Sequence, residues 1–346
     1  VNVAFFVGLT TVRVEVMEDT SRPASADEIE RMRALVETGL QAGALGVSVG
    51  TYYPPAQAST VDEVVAACAG MQGGRHVMSV HLRDEGDRVL EAMEEATQTA
   101  ARLNVPLVIS HHKLSGAKNH GRSKETLARL EEYARLQPVC MDCYPYAASS
   151  TMLNPSKVDS ASKVQVAWST PYPQYAGHDL DEVALQWQCT RQEAAERLMP
   201  GGAIYFSMDM ADVRAILSHP LTMVASDGLP HDTCPHPRLW GSFPRVLGRM
   251  VREDGWFSLE TAIHKMTGLP ATRFGLQHRG VLNEGAWADV VVFDAQRIID
   301  LASYASPRQA PCGIDYVVVN GEVKVAGNTV NANAHGQLLR NFKEWI

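Results

Sequence analysis

Three side chains able to bind a metal or move protons, His81, His111 and Asp227, each stand at the polar end of a short apolar run: HVMSVH, PLVISHH and LTMVASD. Short apolar runs of this kind read as buried strands. Three such endings in chain order, with helical patterns between the first two, predict a parallel barrel whose strand ends open onto one active-site face. The chemistry would be hydrolytic, with imidazoles holding a metal and a carboxylate relaying protons. Each residue also has a plainer reading. A histidine at a strand end is often simply hydrogen-bonded, and Asp227 followed by Gly228 is a common turn pair.

The elements that must position these residues follow a repeating plan. VNVAFFV (1–7) precedes a helix opened by the capping box Ser25-x-x-Glu28 and closed by Gly43, and LGVSV (45–49) precedes a second box, Thr60-x-x-Glu63. HVMSVH leads into RVLEAMEEATQTAARL, whose Val89, Leu90, Met93 and Ala96 share one face. PLVISHH leads into SKETLARLEEYARL, and VCMDCYPY is the next buried run. From about 150 to 218 the plan breaks, leaving one helical stretch, DEVALQWQCTRQEAAERL, and a short apolar run, AIYFSM. A segment that long predicts a functional insertion. LTMVASD then resumes the series, with helices around FPRVLGRM and LETAIHKMTG after it. ADVVVFD and DYVVVNGEVKVAG, with Asn320-Gly321 as a hairpin turn, predict a small sheet outside the barrel.

The predicted class is therefore α/β, an incomplete TIM-like (β/α)8 barrel with about six of the eight strands. The barrel covers 1–279, with its insertion at about 150–218, and a C-terminal β-sandwich portion and tail cover 280–346. VNVAFFVG begins at once as a strand with no leader, so the two absent strands are expected upstream of Val1. Without them VNVAFFV and LTMVASD would be open edges.

A formal net charge of −8 and the lack of any Lys/Arg cluster argue against nucleic acid or a membrane surface as partner. No apolar stretch approaches the ~20 residues that span a bilayer. A small polar substrate and a cytoplasmic setting are expected, the latter because the six cysteines are scattered through a chain too large to need a disulfide framework. In CMDC (140–143), residues three apart on a strand face opposite sides, so Cys140 and Cys143 should diverge. HDTCPHP, with His231, Cys234 and His236, could close on zinc or could be a Pro-braced substrate loop. His112, adjacent to His111 on a strand, should face away from the metal and pack behind the barrel.

Several longer motifs carry a family resemblance: HLRDEGD (81–87), ISHHK (109–113), DCYPY (142–146), ASDGLPHD (225–232), HPRLWGSFPRVLG (236–248) and GVLNEGAWADVVVFD (280–294). Together they resemble the N-acyl-D-amino acid deacylases, or D-aminoacylases, of the amidohydrolase superfamily, from residue 1 to the end. The resemblance implies an amidohydrolase-type barrel and zinc-dependent hydrolysis of N-acyl-D-amino acids to a D-amino acid and a carboxylate. It makes His81 and His111 metal ligands, Asp227 the general acid/base, and Lys113, Tyr144 and Ser150 the residues that hold the substrate carboxylate. Trp240 and Arg238 fall in a motif near the same mouth without an assigned role.

The implied cofactor is one Zn²⁺, or two in a full-length parent. Bound Zn²⁺ lowers the pKa of water from about 15.7 to about 7, which is what amide hydrolysis at neutral pH requires. The paired-histidine strand end and early cysteine of the family would lie upstream of Val1, and Leu9 in VGLTTVR stands where the family tends to carry histidine. With two histidine ligands alone, metal affinity is expected to be weak and this chain alone inactive or poorly folded. The rival readings are another amidohydrolase, of cyclic-amide or N-acyl-D-glutamate type, and a non-catalytic remnant.

Overall fold

β-Branched runs buried on both faces are the signature of a parallel sheet covered by helices, and they build one here. The computed structural model describes residues 1–73, 75–333 and 335–341. Five strands come first: β1 (Val7–Gly8), β2 (Gly46–Gly50), β3 (Val77–His81), β4 (Leu107–Ile109) and β5 (Val139–Cys143). The insertion supplies β6 (Ala148–Met152), β7 (Lys163–Ser169) and β8 (Gly201–Phe206), and β9 (Thr222–Val224) returns to the first sheet. The C-terminal portion adds β10 (Val290–Phe293), β11 (Ile314–Val319), β12 (Glu322–Ala326) and β13 (Thr329–Val330).

The main sheet has the order β1-β2-β3-β4-β5-β9, every pairing parallel, with β1 and β9 as its edges among the described residues. Its register pairs Gly50 with His81, Val80 with Ile109 and Cys143 with Val224, so the carboxyl ends of all these strands reach one face together. Alternation divides the side chains. Met78, Leu107, Ile109, Met141, Cys143 and Val224 join the large core beneath the helices. Val77, Val108, Cys140 and Met223 form a separate inner cluster with Leu269. Cys140 and Cys143 thus fall in different clusters, diverging as their spacing requires.

Three sequence expectations need correction. VNVAFFV contributes only Val7 to the ladder: Val3 instead pairs with Leu338 of the tail, and a helix, Leu9–Val16, begins directly after Gly8. The stretch DEVALQWQCTRQEAAERL is two helices, Leu180–Gln186 and Arg191–Leu198. Gln188 takes a positive φ of 52° between them and Thr190 opens a new capping box with Glu193, which the continuous apolar pattern conceals. The insertion also ends earlier than 218, because the helix Met210–Ser218 packs on the helix Ser123–Ala134 and on β5 and β9 as a crossover of the main sheet.

Within the insertion, β6-β8-β7 form an antiparallel sheet with a core of its own, including Leu153, Val158, Val164, Val183 and Leu198. The hairpin at Asn320-Gly321 is as expected, with φ of 51° and 85° suited to a tight turn between β11 and β12.

Ser25 and Glu28 make the reciprocal capping box, whereas only half of the Thr60/Glu63 box forms. Thr60 accepts from the Glu63 N–H, but the Glu63 carboxylate turns inward to the Ala24 N–H (2.9 Å) and to the Arg13 guanidinium. That ion pair is fully enclosed, and Arg13 also donates to the carbonyls of Pro55 (2.7 Å), Arg22 (3.0 Å) and Thr20 (3.2 Å). Removing one charge leaves the other buried and uncompensated. Glu63→Gln is therefore expected to lower unfolding stability by about 3–5 kcal/mol in a denaturant titration, a loss much larger than that of an exposed pair such as Arg102 and Asp62.

Candidate active site

All six residues singled out from the sequence, His81, His111, Lys113, Tyr144, Ser150 and Asp227, line one cavity of about 490 Å³ at the carboxyl end of the main sheet. His81 is the last residue of β3, flanked by the rings of Tyr52 and Tyr53 at 5.3 and 4.9 Å. Burial pushes its pKa down to about 3, so the imidazole is neutral and its lone pair free to donate to a cation.

His111 enters by a different route. Val108 faces the inner cluster, and strict alternation would aim Ser110 and His112 inward and His111 out. His111 instead takes a φ of +40°, which ends the strand and reverses the sides. Its backbone N–H donates to Asp142 Oδ1 at 2.7 Å, holding the turn, and its Nε2 lies 2.8 Å from His81 Nδ1. His112 is consequently thrown outward, buried against the helix Ser123–Ala134 with Nε2 3.0 Å from Thr126 Oγ1. Asp227 also has a positive φ, 48°, so it is a turn residue and a cavity residue at once.

Charge in the cavity is arranged in pairs. Glu85, not singled out from the sequence, lies 3.0 Å from His111 Nδ1 and 2.5 Å from Lys113 Nζ. Burial alone would raise its carboxyl, but Lys113 and the two imidazoles hold it well below the usual carboxylate range. Arg238 is enclosed, forms an ion pair with Asp227 Oδ2 at 2.7 Å, donates to the Ser150 carbonyl at 3.1 Å, and stacks on Tyr144 with 4.7 Å to the ring centroid. Tyr144 Oη and His81 Nε2 are buried without a hydrogen-bond partner. Burial raises the Tyr144 phenol well above its ordinary value, so it remains a donor.

Does the donor set suit a metal? His81, Glu85 and His111 are the one group among the described residues whose ligand atoms lie within 4.8 Å of one another. The 2.8 Å between His81 Nδ1 and His111 Nε2 is itself a hydrogen-bond distance; what suits a cation is the donor set, two imidazoles and a carboxylate with His81 Nε2 buried and unpartnered. The far nitrogen of His111 lies against the Lys113–Glu85 pair, 2.7 Å from Lys113 Nζ and 3.0 Å from Glu85 Oε1, which holds the ring with Nε2 toward His81. The loop HDTCPHP offers no second centre. His231 is 71% exposed, and both nitrogens of His236 are used, Nε2 donating to Ala148 O and Nδ1 accepting from the Arg238 N–H, each at 3.0 Å.

Residues 8–325 match the amidohydrolase family. An N-acyl-D-aspartate deacylase from Alcaligenes xylosoxydans xylosoxydans is 49% identical over 340 residues, 98% of this chain and 68% of that protein. The chain belongs to the amidohydrolase family, among its D-aminoacylases. A D-aminoacylase structure described as having a binuclear metal centre, with one-metal activation and second-metal attenuation, superposes with a TM-score of 0.96 at 45% identity, over 98% of this chain and 72% of that one. N-acyl-D-glutamate deacylase from Bordetella bronchiseptica, solved with zinc and a phosphonate inhibitor that mimics the tetrahedral intermediate, gives 0.95 at 42% identity with the same coverage. The chain spans about two thirds of the length of the curated relatives it matches.

In this amidohydrolase, sequence reasoning passed over Glu85 and Asp142 and placed Arg238 near the mouth without a role. Glu85 is visible as the acid four residues beyond His81 in HLRDEGD. Asp142 is visible as the one charge inside the buried run VCMDCYPY. For Arg238 no local pattern marks the approach to Asp227, which comes from the turn of the chain between them.

Proposed function

We propose that this chain carries the catalytic body of an N-acyl-D-amino acid deacylase, hydrolysing the amide to a D-amino acid and a carboxylate. The observation that carries the reading is the convergence of an imidazole pair, a carboxylate and a carboxylate-binding set on one cavity. Identity of 45–49% to three deacylases of N-acyl-D-amino acids supports it. Residues 1–279 would form the catalytic body and 280–346 an accessory β portion, in a cytoplasmic protein acting on small molecules; no helix among the described residues is long and apolar enough to cross a membrane.

His81 and His111 would hold the zinc ion, with Lys113 and Glu85 positioning the His111 ring. Zinc, when bound, supplies Lewis-acid polarisation of the acyl carbonyl and acidifies water. Asp227 is the proton relay. Arg238 occupies its Oδ2, which leaves Oδ1 to take the proton of the attacking water and pass it to the leaving amine as the C–N bond breaks. The unpartnered Tyr144 hydroxyl donates to the substrate carboxylate, with Lys113 supplying charge and Ser150 a further contact. The enclosed Tyr144 and Lys113 thus orient the amide against Asp227.

The test is zinc content and amine release from N-acetyl-D-amino acids by the complete protein that contains this chain. The expected result is zinc-dependent hydrolysis of D but not L substrates; a folded, zinc-loaded protein that releases no amine overturns the reading.

A further inference from the structure

The helix Arg238–Arg245 runs on as a π-helical segment, Val246–Glu253, and along this rod Arg245, Arg249 and Arg252 all reach toward one short stretch of chain, residues 295–300. Arg252 donates to the carbonyls of Ala295 (3.2 Å) and Ile298 (2.6 Å), while Arg249 and Arg245 donate to the carboxylate of Asp300 at 2.7 and 3.0 Å. The rod and the stretch can lie this close because Gly248 has no side chain: a Cβ there would stand 2.5 Å from the Ile298 carbonyl oxygen. Asp300 is 1% exposed, whereas Arg245 and Arg249 are 25% and 42% exposed. The carboxylate is thus the enclosed member, compensated by two guanidiniums that reach in from the surface.

Arg245 has a second partner. Its Nη1 meets Asp300, its Nε donates to the Pro145 carbonyl at 2.9 Å, and its guanidinium lies over the Tyr146 ring, 4.7 Å from the centroid. Pro145 directly follows Tyr144, and the Tyr146 N–H closes back onto the Tyr144 carbonyl at 3.0 Å. One guanidinium therefore ties the loop that carries Tyr144 to a carboxylate supplied by the C-terminal portion. Asp300 itself does not line the cavity.

We propose that Asp300 is a positioning residue for the reaction: through Arg245 it fixes the Tyr144 loop and so sets how tightly the substrate carboxylate is held. The inference rests on the deacylase reading and gives the C-terminal portion a part in substrate binding. A charge-assisted bond to Asp300 holds Arg245 in the plane from which Nε reaches Pro145, whereas the Pro145 carbonyl alone is a neutral and weaker anchor. Without the carboxylate, the partly exposed guanidinium turns to water and the Tyr144 hydroxyl loses its fixed place. Asp227 keeps its own partner, Arg238, so the loss falls on binding and not on proton transfer.

The test is Asp300→Asn in the complete zinc-loaded protein, with steady-state kinetics on an N-acetyl-D-amino acid. KM should rise by about 10- to 100-fold, the factor carried by one hydrogen bond to a charged group, while kcat stays within about 3-fold of the native value. Arg245→Lys keeps the charge but cannot span both partners, and should act alike; the double variant should be no worse than the stronger single one. Should Asp300→Asn not fold, Arg245→Lys, at a partly exposed side chain, carries the same measurement. Arg252→Gln is the structural control, because it loosens the same stretch from the same rod without touching Pro145: the unfolding midpoint should fall and KM should hold. An unchanged KM in Asp300→Asn or in Arg245→Lys, effects that simply add in the double variant, or an equal rise in Arg252→Gln overturns the role of Asp300 and leaves the deacylase intact. Calorimetric affinity for the same compound, measured in an Asp227→Asn background, separates the two readings. A Kd raised by Asp300→Asn, in a protein that hydrolyses no N-acyl-D-amino acid, overturns the deacylase and leaves Asp300 in place.

Discussion

Asp227→Asn lowers kcat by about 10²- to 10⁴-fold while leaving the zinc content unchanged, the span expected when a general acid/base is removed and the rest of a site is kept. Asparagine is the substitution that isolates the proton. It tolerates the left-handed φ of 48° that Asp227 adopts, and its amide oxygen can take the place of the carboxylate oxygen beside Arg238. What it cannot do is carry the proton of water to the leaving nitrogen. Steady-state kinetics on N-acetyl-D-amino acids read the loss, and metal analysis of the same preparation shows whether the centre survives. A non-catalytic ligand binder would behave otherwise, because its affinity would change little on losing one carboxylate oxygen at a residue that is 35% exposed. Turnover within 10-fold of the native protein would remove Asp227 from the proton-transfer role.

The sheet and the cavity were legible for different reasons. Strand-terminal His81 follows from the periodicity of HVMSVH alone, and Lys113, Tyr144 and Ser150 came from motif resemblance. All line the expected cavity. His111 and His112 show where pattern runs out. Alternation says only that they face opposite sides, and continued from Val108 it would choose the wrong one. The choice is made by a positive φ supported by a carboxylate from the neighbouring strand, a contact between residues 31 apart in sequence. Glu85 was hidden, and Arg238 placed near the mouth but given no role, for a similar reason, since their significance lies in approaches to Lys113 and Asp227 between distant parts of the fold. The insertion was legible as a break in the repeat but not as a sheet. Its strands pair antiparallel through loops long enough to hide the register, and its helices are split by one left-handed residue, Gln188.

His111→Asn separates metal holding from proton relay. Asparagine accepts the left-handed backbone and keeps the N–H to Asp142, so the turn remains, but the ring nitrogen facing His81 Nδ1 is gone. One imidazole is then left to hold a cation that ordinarily takes three or four protein ligands. Zinc retained after desalting should fall to near zero, and turnover should fall at least as far as in Asp227→Asn. Stability supplies a readout independent of activity. A ligand that binds only the folded state adds about 2.7 kcal/mol at 100 times its Kd, so zinc should raise the unfolding midpoint of the native protein and of Asp227→Asn, but not that of His111→Asn. If His111→Asn kept both its zinc and its zinc-dependent stabilisation, the imidazole pair would not be the metal site. The 2.8 Å contact between the rings would then be an ordinary hydrogen bond between two neutral histidines.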